Sequence, residues 1–325
     1  MMSFLISLKH FLQVFKFSFA ESLRFIIDTE GYSGKEASEE RKRFELTVSV
    51  HSLEKGLSFK NKKKGFGEEK AKRLVMMLER YIQNGYDTDD YSVYETVAIL
   101  KAYLTYKESA KESIPDLESR LDWCVSKIDI SKNYCKAGFI ELNINAILWK
   151  DPHIIENFFH STHSIRNYDK LHSVEENTIK EIIRLARSAP SACNRQSVHV
   201  YYTMERKKNE LISDIVPGNN GFNNEIGNFL IVTSSKTFFG LGEYNQWYVD
   251  GGIFLAYLRL SIHALGLGSC TFQWTRTADE RRLRQLCQIP LRESIIAIVG
   301  VGYLSNISYC IHSQRKAVDE YISKF

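Results

Sequence analysis

The hydrophobic pattern of this chain changes once, and that change limits how it can be built. Up to about residue 150, apolar residues recur at three- and four-residue spacing over residues 44–57, 68–83, 91–110 and 117–128. That period gathers them on one face of a helix. Glycine and aspartate separate the runs, and Ile114-Pro115-Asp116 is a break, because proline has no amide hydrogen to give a helix interior. The texture shifts near Asp151-Pro152, and from Thr162 onward short apolar strands stand between helices. Helices are predicted over 173–188 and 250–265, and strands over 197–204, 229–233 and 295–303. Ser173-Val-Glu-Glu176 reads as a capping box, and Thr277-Ala-Asp-Glu280 as a second helix start. The expectation is a mostly helical N-terminal region, residues 1–155, followed by an α+β domain, residues 156–325.

At 325 residues, 44% of them hydrophobic, the chain can bury a sizeable core in each part. A net charge of +4 is too small to argue for nucleic acid. The one lysine cluster, residues 60–64, reads as a solvated loop, with phosphate or acidic-lipid contact as its other reading. Cys124, Cys135, Cys193, Cys270, Cys287 and Cys310 form no CxxC pair and no metal spacing, so a reducing, cytoplasmic setting with thiols used as small hydrophobes is expected, and no metal. His51 and Glu54 share a helix face and could be two metal ligands or an acid–base pair; with no third ligand at a recognisable spacing, a helix-stabilising pair is the plainer reading. Residues 1–27 are rich in Phe, Leu and Ile but broken by Lys9, His10, Lys16, Glu21 and Arg24. They lack the plan of a secretory signal and are too interrupted to span a bilayer. An amphipathic helix is expected, packed on protein or lying on the inner membrane surface.

Four short segments carry the chemistry. The first is Thr162-His-Ser-Ile-Arg166. The second, residues 189–196, reads Ala-Pro-Ser-Ala-Cys-Asn-Arg-Gln between a predicted helix and strand. Pro190 ends the helix, Ser191 and Ala192 are small enough for a flat ligand to approach, and Asn194 offers both donor and acceptor to a heterocycle edge. The third runs from Ala264 through Gly266-Leu-Gly268 to Thr271-Phe272-Gln273-Trp274, and the fourth is Ser313-Gln-Arg315. Arg166 and Arg315 suit a phosphate monoester, whose oxygens match guanidinium forks, with His163 and Ser164 as neutral donors. A ring-binding loop, a phosphate clamp and a backbone edge are together what a flavin mononucleotide requires.

The order and wording of these segments resemble the FMN-dependent nitroreductase family over about residues 158–325, with Asp250-Gly251-Gly252 opening a long helix as a further shared word. The resemblance implies a nitroreductase-like mixed sheet flanked by helices. It implies that His163, Ser164, Arg166 and Arg315 hold the phosphate and pyrimidine side of FMN. Pro190, Ser191, Ala192 and Asn194 would come from the other subunit of a homodimer, with FMN at the interface. Thr271, Phe272, Gln273 and Trp274 would lie along the ring. The chain departs from the family at Thr162 and Ser313, where basic residues are common, and at Ser197, where proline is. The helical extension, with His51-Ser-Leu-Glu-Lys-Gly-Leu57, is similar to that of nitroreductase-like proteins linked to bacterial surface-polysaccharide genes.

The function so implied is ping-pong hydride transfer from NAD(P)H through flavin N5 to an unidentified small-molecule electron acceptor. No catalytic side chain is assigned; His163 and Gln273 are candidates. The rival expectation is a flavin-fold subunit without redox turnover, serving binding or assembly in surface-polysaccharide biosynthesis. A dinucleotide-binding reading of Gly300-Val-Gly302 fails, because no helix signal follows it.

Overall fold

The computed structural model describes residues 2–30, 37–59, 62–129, 131, 137, 151–169, 171–274, 279–305, 310, 311 and 313–325. Two compact units divide the chain, and they interleave in sequence. The helical unit takes Met1–Leu148, Pro190–Ser197 and Ser235–Asp250; the sheet unit takes Trp149–Ala189, Val198–Ser234 and Gly251–Phe325.

The helical unit is built on α1 (Met2–Asp28), α2 (Glu39–Leu57), α3 (Glu68–Gln83), α4 (Tyr91–Ser109) and α5 (Pro115–Val125). Local chemistry sets their starts. Ser38 Oγ accepts from the Arg41 amide, Asp90 Oδ1 accepts from the Ser92 amide, and Pro115 occupies the first turn of α5, where no amide hydrogen is needed. The recurring apolar positions close one core: Val50, Leu53 and Leu57 of α2, Leu74 and Leu78 of α3, Val93, Val97 and Leu100 of α4, and Leu117 and Leu121 of α5. The far end of α1 is tied down separately. Phe25 packs with Phe239 and Trp247, and Asp28 Oδ2 pairs with Lys236 Nζ at 2.6 Å. Upstream of Phe25, α1 is apolar and exposed at Leu8, Phe11, Leu12, Phe15, Phe19 and Leu23. Among the described residues, no helix is long and apolar enough to cross a membrane.

The sheet unit carries α6 (Pro152–His160), α7 (Glu176–Ala186), β1 (Val198–Tyr201), α8 (Arg206–Ile215), β2 (Asn228–Ser235), most of α9 (Gln246–Ala264), β3 (Leu267–Gln273), α10 (Glu280–Cys287) and β4 (Glu293–Tyr303). The sheet order is β1-β2-β4-β3. β1 pairs antiparallel with β2 from Val198↔Ser234 to Tyr201↔Ile231, and β3 with β4 from Leu267↔Tyr303 to Gln273↔Ala297. Parallel pairing appears at the isolated bridge Ser164↔Ser269. Side chains alternate faces along a strand, so β2 serves two cores. Phe229 and Ile231 join Phe272, Ile298, Ile212 and Leu283 on one face, while Leu230 and Val232 join Ile179, Ile182, Leu258 and Ile262 on the other. A helical N-terminal region followed by an α+β region is therefore the architecture.

Two local expectations need correction. Ser173 does not cap α7: the helix starts at Glu176 behind Glu175, two residues too late for Ser173 to be its cap. Asp279, not Thr277, caps α10, its Oδ1 accepting from the Arg282 amide at 3.2 Å; Thr277 lies outside the described residues. Gly300 and Gly302 sit inside β4, where the latter lies under the Tyr168 ring. Of the lysine cluster, Lys60 and Asn61 lie outside the described residues, as does Cys135; Lys63 and Lys64 are exposed.

Candidate functional site

A pocket of about 470 Å³ in the sheet unit gathers Thr162, His163, Ser164, Arg166, Arg259, Ser313 and Arg315, with Phe159 and Ile311 on its rim. Its floor is made by the segment around Ser164 lying against the start of β3, where the Ile165 amide donates to Ser269 O at 2.9 Å. That approach requires Gly268: a Cβ there would stand 3.0 Å from Ile165 Cβ and from Leu304 Cδ2. Arg166 Nη1 donates to Ser164 O at 3.4 Å, and Arg315 Nη1 to Ser313 O at 2.7 Å. Burial pushes the Cys270 thiol up, and Arg166 and Arg259 pull it the other way, so both guanidiniums stand near that sulfur.

Among the described residues none of the three arginines forms an ion pair, and Arg259 Nε is buried without a hydrogen-bond partner. Three uncompensated guanidiniums on one concavity repel one another and leave donors unmet. Such an arrangement is stable when an anion supplies the charge and the acceptors. Arg259 was not marked by any motif. It sits on α9 amid apolar residues, and its only sequence signal is a cation where a buried stripe would continue.

The third segment forms β3 and the residue after it. Phe272 is buried and stacks on Phe222, with ring centroids 5.9 Å apart, so its side chain serves the core. Thr271 Oγ1 and Trp274 Nε1 are buried with no partner among the described residues, and Gln273 is exposed. β3 is an edge strand, bridged on its outer side at Ser269 by the segment around Ser164 and paired there with no further strand among the described residues.

The loop Pro190–Ser197 belongs to the helical unit. Its turn, Ala192–Asn194, holds Cys193 and Asn194 at φ of 51° and 54°, and Gln196 follows at 51°. Three left-handed residues within four positions, none of them glycine, cost roughly 1–3 kcal/mol each unless the surroundings hold them. The surroundings do. Ser191 Oγ accepts from the Gln196 amide at 3.1 Å, and buried Asp250 accepts from the Ala192 amide at 3.1 Å. Arg195 is buried, forks onto Glu243 at 2.9 and 2.7 Å, and lies over the rings of Phe44 and Phe239. Burial would raise Glu243, but the Arg195 bonds and the Gly240 amide hold it below the usual carboxylate range. Asn194 Nδ2 donates to Glu95 Oε1 at 3.3 Å. Pro190, Ser191 and Ala192 are thereby held in a rigid, strained turn.

The structure thus brings His163, Ser164, Arg166 and Arg315 into one pocket and adds Arg259. It places Thr271, Gln273 and Trp274 on an open strand edge with two unmet donors, directs Phe272 into the core, and ties the loop carrying Pro190, Ser191, Ala192 and Asn194 to the helices. Among the described residues no three His, Cys, Asp or Glu side chains gather as a metal cluster.

The nitroreductase family model matches residues 160–220 and 226–303, which include the first three of these segments. No curated protein matches the chain. Solved structures similar to it include an FMN-dependent nitroreductase from Clostridium difficile R20291, with 23% identity over 48% of this chain and 90% of that one and a TM-score of 0.41. A nitroreductase family protein from Clostridium difficile 630 has 21% identity over 51% and 95%, with a TM-score of 0.42. NfrA2 from B. megaterium has 22% identity over 50% and 69%, also with a TM-score of 0.42. The family resemblance read from the sequence is thus met over residues 160–303, which stop short of the fourth segment.

Proposed function

We propose that the chain is an FMN-dependent oxidoreductase that uses NAD(P)H to reduce a small acceptor. The observation that carries this reading is the pocket of three arginines, without ion pairs among the described residues, two of which lie inside the region matched by the nitroreductase model. In the proposal Arg166, Arg259 and Arg315 take the phosphate, with His163 and Ser164 as neutral donors. The buried Arg259 Nε without a partner fits a ligand oxygen. The open edge of β3, with Thr271, Gln273 and Trp274, faces the ring, and Phe272 contributes backbone only. Pro190, Ser191, Ala192 and Asn194 of a second copy cover the ring in a homodimer. Bound there, FMN would supply two-electron transfer from NAD(P)H to the acceptor. A cation at the pyrimidine edge stabilises negative charge that builds up there, a role Arg166 can fill.

The division near residues 155 and 156 is, in this reading, a functional one, separating an added helical region from the cofactor-binding region. In a cytoplasmic protein, α1 would meet the membrane surface. Its exposed stripe of Leu8, Phe11, Leu12, Phe15, Phe19 and Leu23 enters the lipid boundary, and exposed Lys9 and Lys16 meet anionic headgroups.

The test is a visible absorbance spectrum of the purified protein before and after anaerobic NAD(P)H. Flavin bands that bleach are expected. Bands that persist would leave a bound flavin without reductase turnover, the binding or assembly role. A protein that shows no bands even after soaking in FMN removes the cofactor assignment.

A further inference from the structure

The helical unit carries a concavity of its own, about 820 Å³ in volume and built wholly from residues 37–120. A volume in this range suits a small organic molecule. One stripe of α3 lines it: Lys72, Arg73, Met76, Met77, Arg80 and Tyr81 follow the three- and four-residue spacing of a single helix face. α2 adds Lys42, Glu45 and Leu46, and α5 adds Asp116 and Arg120.

The middle of the stripe is apolar and firmly held. Tyr81 is buried, with its ring 5.1 Å from that of Tyr86. Its hydroxyl accepts from Arg43 Nε at 3.1 Å and donates to Glu39 Oε1 at 2.9 Å, so the ring cannot turn away. Met77 is half-buried, and its Sδ accepts from Ser49 Oγ at 3.7 Å. Met76 is 40% exposed, which leaves a thioether open to whatever enters. Methionine is unbranched and polarisable, and it adapts to a flat ring laid against it.

Charge distinguishes this concavity from a plain apolar groove. Five cations and three carboxylates line it, an excess of two positive charges. Lys42 is met by Glu45 at 3.0 Å, Lys72 by Glu68 at 2.7 Å and Arg120 by Glu79 at 2.8 Å. Glu69 and Asp116 stand near Lys72 and Arg120, at 3.9 and 3.3 Å, so neither carboxylate opposes an anion uncompensated. Arg73 and Arg80 are exposed and form no ion pair among the described residues. Seven residues apart, they share a face of α3 about 10 Å from each other along the axis, with Met76 and Met77 between them.

We propose that this concavity binds a small organic dianion, whose two anionic groups stand about 10 Å apart on a flat apolar body. One group meets Arg73, the other meets Arg80, and the body lies on Met76 and Met77 with Tyr81 and Tyr86 beside it. Phosphate or sulfate alone has no body to cover the methionines and reaches one arginine only. The site lies wholly in the helical unit and is separate from the arginine pocket of the sheet unit.

The experiment titrates naphthalene-2,6-disulfonate into the full chain, carbon-13 labelled at the methyls of its five methionines. Met76→Leu and Met77→Leu assign the two signals that matter. Saturable shifts at Met76 and Met77 are expected, with Met204 in the sheet unit unmoved. Naphthalene-2-sulfonate, which carries one anion, should bind about fivefold more weakly, and inorganic sulfate at the same concentration should leave both signals in place. Arg73→Ala and Arg80→Ala are surface changes that spare the core. Each should weaken the disulfonate about fivefold, and the pair together about 25-fold, because sites this far apart act nearly additively. Absence of shifts at Met76 and Met77 overturns the proposal. So does an affinity that the two arginine variants leave unchanged, or equal binding of the mono- and disulfonate.

Discussion

The helical unit and the sheet unit leave different kinds of polar group unmet, and the difference is instructive. In the sheet unit three guanidiniums line one pocket, Arg166, Arg259 and Arg315, without an ion pair among the described residues, and Arg259 Nε has no hydrogen-bond partner there. Arginine keeps its charge under any ordinary burial, so three of them on one concavity amount to a standing demand for an anion. In the helical unit the bare atoms include Glu95 Oε2 and His51 Nδ1, held among packed helices. A carboxyl meets burial by keeping its proton, so there the outcome is a neutral donor. One unit holds fixed positive charge, the other a movable proton.

The largest effect that would break this comparison is at the arginines. Replacing Arg166 and Arg259 together with alanine should weaken FMN binding by about 3–6 kcal/mol, or 10²-fold and more, since each charge-assisted bond contributes about 1.5–3 kcal/mol. Arg315→Ala should lose about tenfold or more. Flavin fluorescence titration measures both, and an undiminished affinity removes the phosphate assignment.

Next comes Leu74→Ala in the helical core. It should cost about 2–5 kcal/mol in urea unfolding, because Leu74 is fully buried and α3 cannot collapse onto the void. FMN affinity under native conditions should stay within a factor of two. Loss of FMN binding with the fold still intact would mean that the pocket depends on the helical core.

A smaller effect follows from Glu95. Its folded value lies above that of the unfolded chain, so the native state holds the proton longer. Stability from this group is complete below the ordinary carboxylate range and is lost as pH rises through about 7, at most about 3 kcal/mol in all. Glu95→Gln should flatten that slope; a slope unchanged in this variant would assign it elsewhere. The smallest effect is at α1. Lys9→Glu and Lys16→Glu should each reduce cosedimentation with anionic vesicles, at about 1 kcal/mol per removed lysine. Equal binding to neutral vesicles would exclude the electrostatic part of the contact.

The elements of both units were largely legible in the sequence, because helix period, strand alternation, Pro115 and Pro152 act within a few residues. Where the reading missed, the cause was equally local. Ser173 and Thr277 have the right chemistry for caps, but the helices begin at Glu176 and Glu280, the second behind the cap that Asp279 supplies. The family resemblance was legible too, since loop 189–196 and Gly266-Leu-Gly268 are short words whose residues lie next to one another.

What the sequence determined by itself was therefore the helical and α+β halves and the family likeness of the second. What only the tertiary structure decided was the company that residues keep. Arg166, Arg259 and Arg315 meet across nearly 150 positions of chain, and nothing local marks Arg259 as one of them. Glu95 reads as an ordinary helix residue until packing buries it against Asn194, ninety-nine positions away. Residues 190–197 and 235–250 join the helical unit although they are encoded among the strands. The reason is range. Backbone preference and capping are settled within one or two turns, whereas burial and charge compensation depend on which distant surfaces close on one another.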